Sequence, residues 1–268
     1  MRLLNIRSLR AEEFIGTPPP YAILSHTWGA DEVTLHDLDH LGLDDKPGWK
    51  KIIGFARAIR QSNQPVDYFW VDTCCIDKSS SAELSEAINS MFHWYRESVC
   101  CFAYLADVEW RAHSSSPLGA DFESSKWFTR GWTLQELLAP RDLEFFDKDW
   151  RGIGNRHDLM ERISTRTNID TDTLRLGQWP NASVAMRMSW AAGRQTTRPE
   201  DMAYCLLGIF DVNMPLLYGE GDRAFTRLQE EILKESEDQS IFAIVLMWSL
   251  IPPKVHRWSL PAKESSSI

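Results

Sequence analysis

Tyr21-Ala-Ile-Leu-Ser-His-Thr-Trp-Gly29 decides how the rest of the chain is read. Three prolines, Pro18 to Pro20, precede it and cannot continue regular structure, so an element must start after them. Tyr21 to Ser25 is apolar and β-favouring, which predicts a buried strand. His26-Thr-Trp-Gly29 then falls at the carboxyl end of that strand.

Outward from this strand the pattern alternates. Trp49 to Arg60 is predicted helical, with Trp49, Ile52, Ile53, Ala56 and Ile59 on one face. Tyr68 to Asp72 reads as a second short strand. Ser80 or Ser81 can cap a helix whose apolar stripe is Leu84, Ala87, Ile88, Met91, Phe92 and Tyr95. Val99 to Leu105 reads as a third strand, residues 111–125 as a Ser-rich loop, Trp132 to Leu138 as a short helix, and Leu143 to Phe146 as a fourth strand. Strands alternating with helices predict the α/β class, with a mostly parallel sheet flanked by helices. Beyond it, helices are predicted at Asp158–Arg166, Val184–Ala192, Pro199–Phe210 and Arg223–Ser236, a C-terminal helical extension. The expected division is an α/β core over 1–150, a helical extension over 151–243 and a loose tail over 244–268.

Composition narrows the function. The 268 residues are 43% hydrophobic and 25% charged, ordinary for a globular protein, and twelve Trp with twelve Phe can fill a large core. A net charge of −9 argues against nucleic-acid binding, which needs clustered Lys and Arg. Five Cys, at 74, 75, 100, 101 and 205, form neither a CxxC nor an even framework; buried reduced thiols and no metal are expected. Residues 1–10 lack the apolar region of a signal peptide. The longest apolar stretch, Ile241 to Ile251, falls far short of the ~20 residues of a membrane span. These features point to a cytoplasmic chain.

Three clusters carry chemistry. They are Leu24-Ser-His-Thr-Trp-Gly29, Trp70-Val-Asp-Thr-Cys-Cys-Ile-Asp77 and Arg130-Gly-Trp-Thr-Leu-Gln-Glu136-Leu. The first two sit at carboxyl ends of strands, where doubly wound sheets bind ligands. Trp132 and Glu136 are four apart and share a helix face; an acid beside an indole can have a raised pKa and move protons or stabilise a cation. The plainer reading is a surface Glu beside a core Trp. Asp72 and Asp77 can orient a ligand hydroxyl or simply stabilise turns, and His26 beside Ser25 is an acid/base or a structural histidine. Trp28 and Gly29 shape a turn or touch a ligand. Arg130 can pair a phosphate or a nearby Asp. A Ser25/His26/Asp72 triad lacks a nucleophile elbow, and a Cys75/His26 pair is no more specific. No Walker loop, GxGxxG or HExxH occurs.

These clusters resemble the three motifs of the fungal heterokaryon incompatibility (HET) domain family. The likeness extends over Tyr21–Gly29, Phe69–Asp77, Glu83–Tyr95, Trp127–Pro140 and Thr197–Gly221, and so across about residues 1–243. It implies an effector of vegetative incompatibility that triggers programmed cell death on non-self recognition. HET domains are regarded as distant relatives of TIR domains, and Trp132 with Glu136-Leu137 looks like the TIR segment whose Glu cleaves NAD. The resemblance therefore implies a flavodoxin/TIR-like fold and a catalytic Glu136, with NAD as substrate rather than cofactor. Ser25, His26, Trp28, Gly29, Asp72, Cys75, Asp77, Arg130 and Trp132 would bind the substrate. Self-association or a HET- or NLR-type partner is implied as well. The alternative is a non-enzymatic death-signalling module that works by assembly. After Phe242 the sequence departs from the family pattern.

Overall fold

A strand without a polar face must lie inside a sheet, and β3 (Tyr21–His26) is buried at every residue. The computed structural model describes residues 1–39, 42–62, 64–109 and 121–241. Parallel to β3 run β4 (Tyr68–Trp70), β5 (Cys100–Tyr104) and β6 (Leu143–Phe146). Antiparallel strands close both edges: β1 (Arg2–Asn5) and β2 (Ala11–Glu13) beside β4, and β7 (Gly152–Asn155) beside β6. The order is β2-β1-β4-β3-β5-β6-β7, the α/β architecture expected. These three antiparallel strands were not anticipated. The two at the edges, β2 and β7, are short and carry Glu and Gly, as suits edges that must not recruit further strands.

Crossover handedness sets which helix covers which face. Helix α1 (Pro47–Gln61) leads from β3 out to β4, and α3 (Ser81–Glu97) leads from β4 back across β3 to β5. Right-handed crossovers in opposite directions place them on opposite faces. Aromatic contacts agree. Phe55 of α1 meets Phe69 and Phe102 edge-on, with ring centroids 5.3 and 5.5 Å apart, whereas Trp70 meets Trp94 and Tyr95 of α3. Phe69 and Trp70 are neighbours on one strand, so the two-residue pleat divides them. The buried side of α1 centres on Ile52, Phe55, Ala56 and Ile59, with Trp49 and Ile53 only partly covered. Ser80 caps α3 by accepting the Glu83 N–H.

Four expectations shift. Strand β4 stops at Trp70, and Asp72–Cys75 forms a single helical turn, α2, so Cys74 and Cys75 are helical neighbours rather than strand neighbours. Within the stretch read as loop, Asp121–Ser124 is a helical turn, α4, and Lys126–Thr129 a 3-10 turn; residues 110–120 lie outside the described residues. The helix that starts the third cluster, α5, is Thr133–Leu138. In the C-terminal region α6 (Met160–Thr167), α7 (Thr171–Leu176), α8 (Val184–Ala191), α9 (Asp201–Tyr204), α10 (Leu207–Phe210) and α11 (Arg223–Glu235) follow. The predicted 199–210 helix is thus split in two, and α7 is additional. Asp170 caps α7 and Gly177 in the left-handed region ends it, a short signal that periodicity alone does not register. The apolar run after Ile241 and the tail fall outside the described residues.

The C-terminal segment grips the approach to α5. Gly131 N–H donates to Gln195 O (2.8 Å) and Gln195 N–H to Thr129 O (2.7 Å). The buried Arg194 guanidinium donates to Arg130 O and to Thr133 Oγ1.

Candidate active site

Strand alternation distributes the first cluster. Ser25 and His26 are adjacent on β3, so their side chains leave opposite faces. Ser25 points toward α3 and α5. Its hydroxyl donates to Glu136 Oε2 at 2.5 Å and accepts the Trp127 indole N–H at 2.8 Å. This joins the first and third clusters, 111 residues apart in sequence. The Tyr95 hydroxyl, which donates to Leu24 O, also lies in hydrogen-bond reach of Glu136.

Glu136 is 6% exposed. Burial pushes its carboxyl up to about 8, against a smaller opposing effect of the Ser25 hydrogen bond. Asp72 adds to the rise and Arg130 opposes it. The group is therefore largely protonated at neutral pH. Ser25→Ala removes the hydroxyl that favours the carboxylate and strands the Trp127 indole. We expect a loss of about 2 kcal/mol in urea unfolding, and a Glu136 titration moved further up in carboxyl-directed NMR.

His26 points the other way, toward α1. Its Nδ1 lies 2.6 Å from the Lys51 ammonium, which has only donors, so Nδ1 accepts and the Nε2–H donates to Asp72 Oδ1 at 2.9 Å. Lys51 also donates to Glu32 Oε1, which takes the Gly29 N–H. Asp72 Oδ2 accepts the Trp28 indole N–H at 2.7 Å. Burial works against the Asp72 carboxylate, but the His26 and Trp28 hydrogen bonds and the Lys78 charge outweigh it, and it stays well below the usual carboxylate range. The result is a fixed chain, Glu32–Lys51–His26–Asp72–Trp28, along the carboxyl edge of the sheet.

Of the ten residues singled out from sequence, Ser25, His26, Trp28, Asp72 and Glu136 meet at this edge, in two groups divided by the sheet. Gly29 holds the turn through Glu32. Arg130 lends charge to Glu136 while its backbone pairs with Gln195. The other three point elsewhere. Trp132 lies beside Asp201 of α9 and favours its carboxylate, the Asp77 carboxylate serves Ser79 in the turn before α3, and the buried Cys75 thiol accepts from Val71 N–H. Ser25 bonds Glu136 and not His26, so no Ser/His/Asp triad forms. Sequence reasoning missed Lys51, Glu32, Trp127 and Tyr95 as site members. Lys51 had a signal: it lies four before Phe55 and seven before Ala58, a cation in line with buried residues.

A cleft of about 390 Å³ opens beside the His26 group, lined by Trp28, Glu32, Lys51, Tyr104, Asp107 and Lys126 among others; Glu136 is not part of its lining.

Comparison with known proteins decides the lineage. Residues 21–118 match the heterokaryon incompatibility protein (HET) family model. The chain is 50% identical over 232 residues to the vegetative incompatibility protein HET-E-1 of Podospora anserina, an alignment covering 82% of this chain. The chain belongs to the HET family. It spans 16% of the length of that relative, so it corresponds to one part of a much longer protein. Residues 223–265 match a second model, a domain of unknown function. No solved structure matches the chain. Within this HET chain Glu136 lies past the end of the matched family segment, and its placement beside Ser25 comes from the fold. Among the described residues no helix is long and apolar enough to cross a membrane, and no cluster of His, Cys, Asp or Glu is arranged to hold a metal.

Proposed function

We propose that this chain is the effector module of a vegetative incompatibility system, that its activation leads to cell death, and that it acts by cleaving NAD with Glu136. The observation that carries the chemistry is the Ser25–Glu136 contact, which brings a buried, high-pKa carboxyl to the carboxyl edge of a parallel sheet. The identity of the HET-E-1 relative supports the biological role. The TIR likeness supports the reaction by analogy.

In that reaction the ribosyl C–N bond breaks, nicotinamide leaves with the bonding pair, and the ribosyl cation is taken by water with release of a proton. A carboxylate beside the ribosyl carbon stabilises the developing cation. The cationic nicotinamide ring itself favours the ionised form of Glu136 as it approaches. Assaying purified protein for nicotinamide release is the test. Release by the wild type and its loss in Glu136→Gln support the reading; no release by folded wild type, or equal release by the variant, defeats it.

The near-complete burial of Glu136 favours a second reading, in which the chain signals by self-assembly or by joining a HET- or NLR-type partner. Glu136→Gln would then leave killing intact in cells, and disrupting the assembly surface would abolish it.

A further inference from the structure

The cleft beside His26 lies where the winding of the sheet reverses. From β3 the chain goes to β4 on one side and then, over β3, to β5 on the other, so the β3/β5 boundary is the topological switch point. The cleft is lined by Thr27–Glu32, directly after β3, and by Tyr104, Ala106 and Asp107 at the end of β5. Open α/β sheets take ligands in the crevice outside the carboxyl ends at this point. Its volume falls within the range of about 300–1,000 Å³ common for small-molecule sites.

Three features specify the ligand. Trp28 is 49% exposed yet held in place, its N–H on Asp72 and the Lys78 ammonium 3.8 Å from its ring centroid. A fixed, half-bare indole with one face taken by a cation presents the other as a stacking surface. Lys51, nine-tenths buried, spends two of its three N–H donors on His26 and Glu32 and lines the cleft with one donor left to offer; exposed Lys126 lines it as well. The acids there are largely engaged: Glu32 by Lys51 and Gly29, and Asp107 by Ser125 Oγ and Lys126 N–H. Exposed Asp31 offers an acceptor to sugar hydroxyls.

We propose that this cleft is a nucleotide site, with the base stacked on the face of Trp28 that Lys78 leaves free, and the phosphate on Lys51 and Lys126. Glu136 takes no part in it, so the site goes beyond the proposed hydrolysis and stands or falls separately.

Calorimetric titration of the wild-type chain with AMP, adenosine and ribose 5-phosphate tests it. AMP should bind at least tenfold more tightly than either fragment. Trp28→Ala should reduce AMP affinity at least tenfold and leave ribose 5-phosphate nearly unchanged; Lys126→Ala should weaken AMP and ribose 5-phosphate but not adenosine. Both changes are at exposed positions, and circular dichroism would verify folding. Glu136→Gln should bind AMP as the wild type does. No AMP binding, or AMP binding indifferent to both Trp28→Ala and Lys126→Ala, overturns the site. Wild-type AMP binding with no nicotinamide release would leave the site standing and remove the hydrolase reading; release with no AMP binding would do the reverse.

Discussion

Glu136→Gln should abolish nicotinamide release while making the protein more stable at neutral and alkaline pH. On the proposed reading, the activity loss follows from removing the carboxylate that would face the ribosyl cation, an electrostatic role worth about 10²–10³ in rate for comparable single contacts. In the wild type, kcat/KM should rise with pH through about 8, because the free protein must lose the Glu136 proton before the carboxylate can act. The stability change follows from linkage. The folded carboxyl is pushed up to about 8 from an ordinary value of 4.5, so between those limits the native state keeps a proton that the unfolded chain has released. Its contribution is full below pH 4.5 and is lost as pH rises through about 8. Glutamine resembles the protonated acid and does not titrate. Wild type and variant should unfold alike in urea at about pH 4, and the variant should be the more stable at pH 8.5 by on the order of 4 kcal/mol. Equal pH slopes for the two proteins would show that Glu136 is not held protonated in the fold.

Gly208→Ala should be the most damaging small substitution in the C-terminal region. A Cβ there would stand 2.0 Å from Phe92 Cβ and 2.4 Å from its Cγ. Those atoms lie close to the α3 backbone, so no side-chain rotation clears them, and α10 would have to lift off α3. Overpacking of this kind costs about 2–3 kcal/mol, or roughly 5–10 °C in Tm for a chain of this size. Gly152→Ala, where a Cβ meets nothing within 4 Å, is the control and should change Tm by about 2 °C or less. A neutral Gly208→Ala would mean that α10 does not pack on α3 this closely.

The parallel core was legible because its strands are apolar on both faces and its helices carry clean 3.6-residue stripes. Tyr21–Ser25 and Leu143–Phe146 were placed to within a residue of β3 and β6. The edge strands were not legible, since a strand such as Gly152–Asn155 is defined by its partner's hydrogen bonds and not by its own composition. In the site, sequence singled out the residues that are unusual for their position: Ser25, His26, Trp28, Asp72 and Glu136. Strand alternation already divides Ser25 from His26; what the sequence could not say is which helices each would meet, since that depends on which helix covers which face. The i,i+4 spacing of Trp132 and Glu136 suggested shared surroundings, yet Trp132 precedes the first turn of α5 and lies beside Asp201. Lys51 and Glu32, each ordinary in its own segment, acquire a role only through each other.

Two successive side chains on β3 serve two separate environments, a charged one around His26 and a sealed, largely neutral one around Ser25. Sliding this strand by a single position would bring His26 to where Ser25 stands and Thr27 to where His26 stands, presenting an imidazole to the sealed carboxyl and a hydroxyl to the lysine. Length changes in this lineage should therefore be tolerated in the segments on either side of Tyr21–His26 and purged within it.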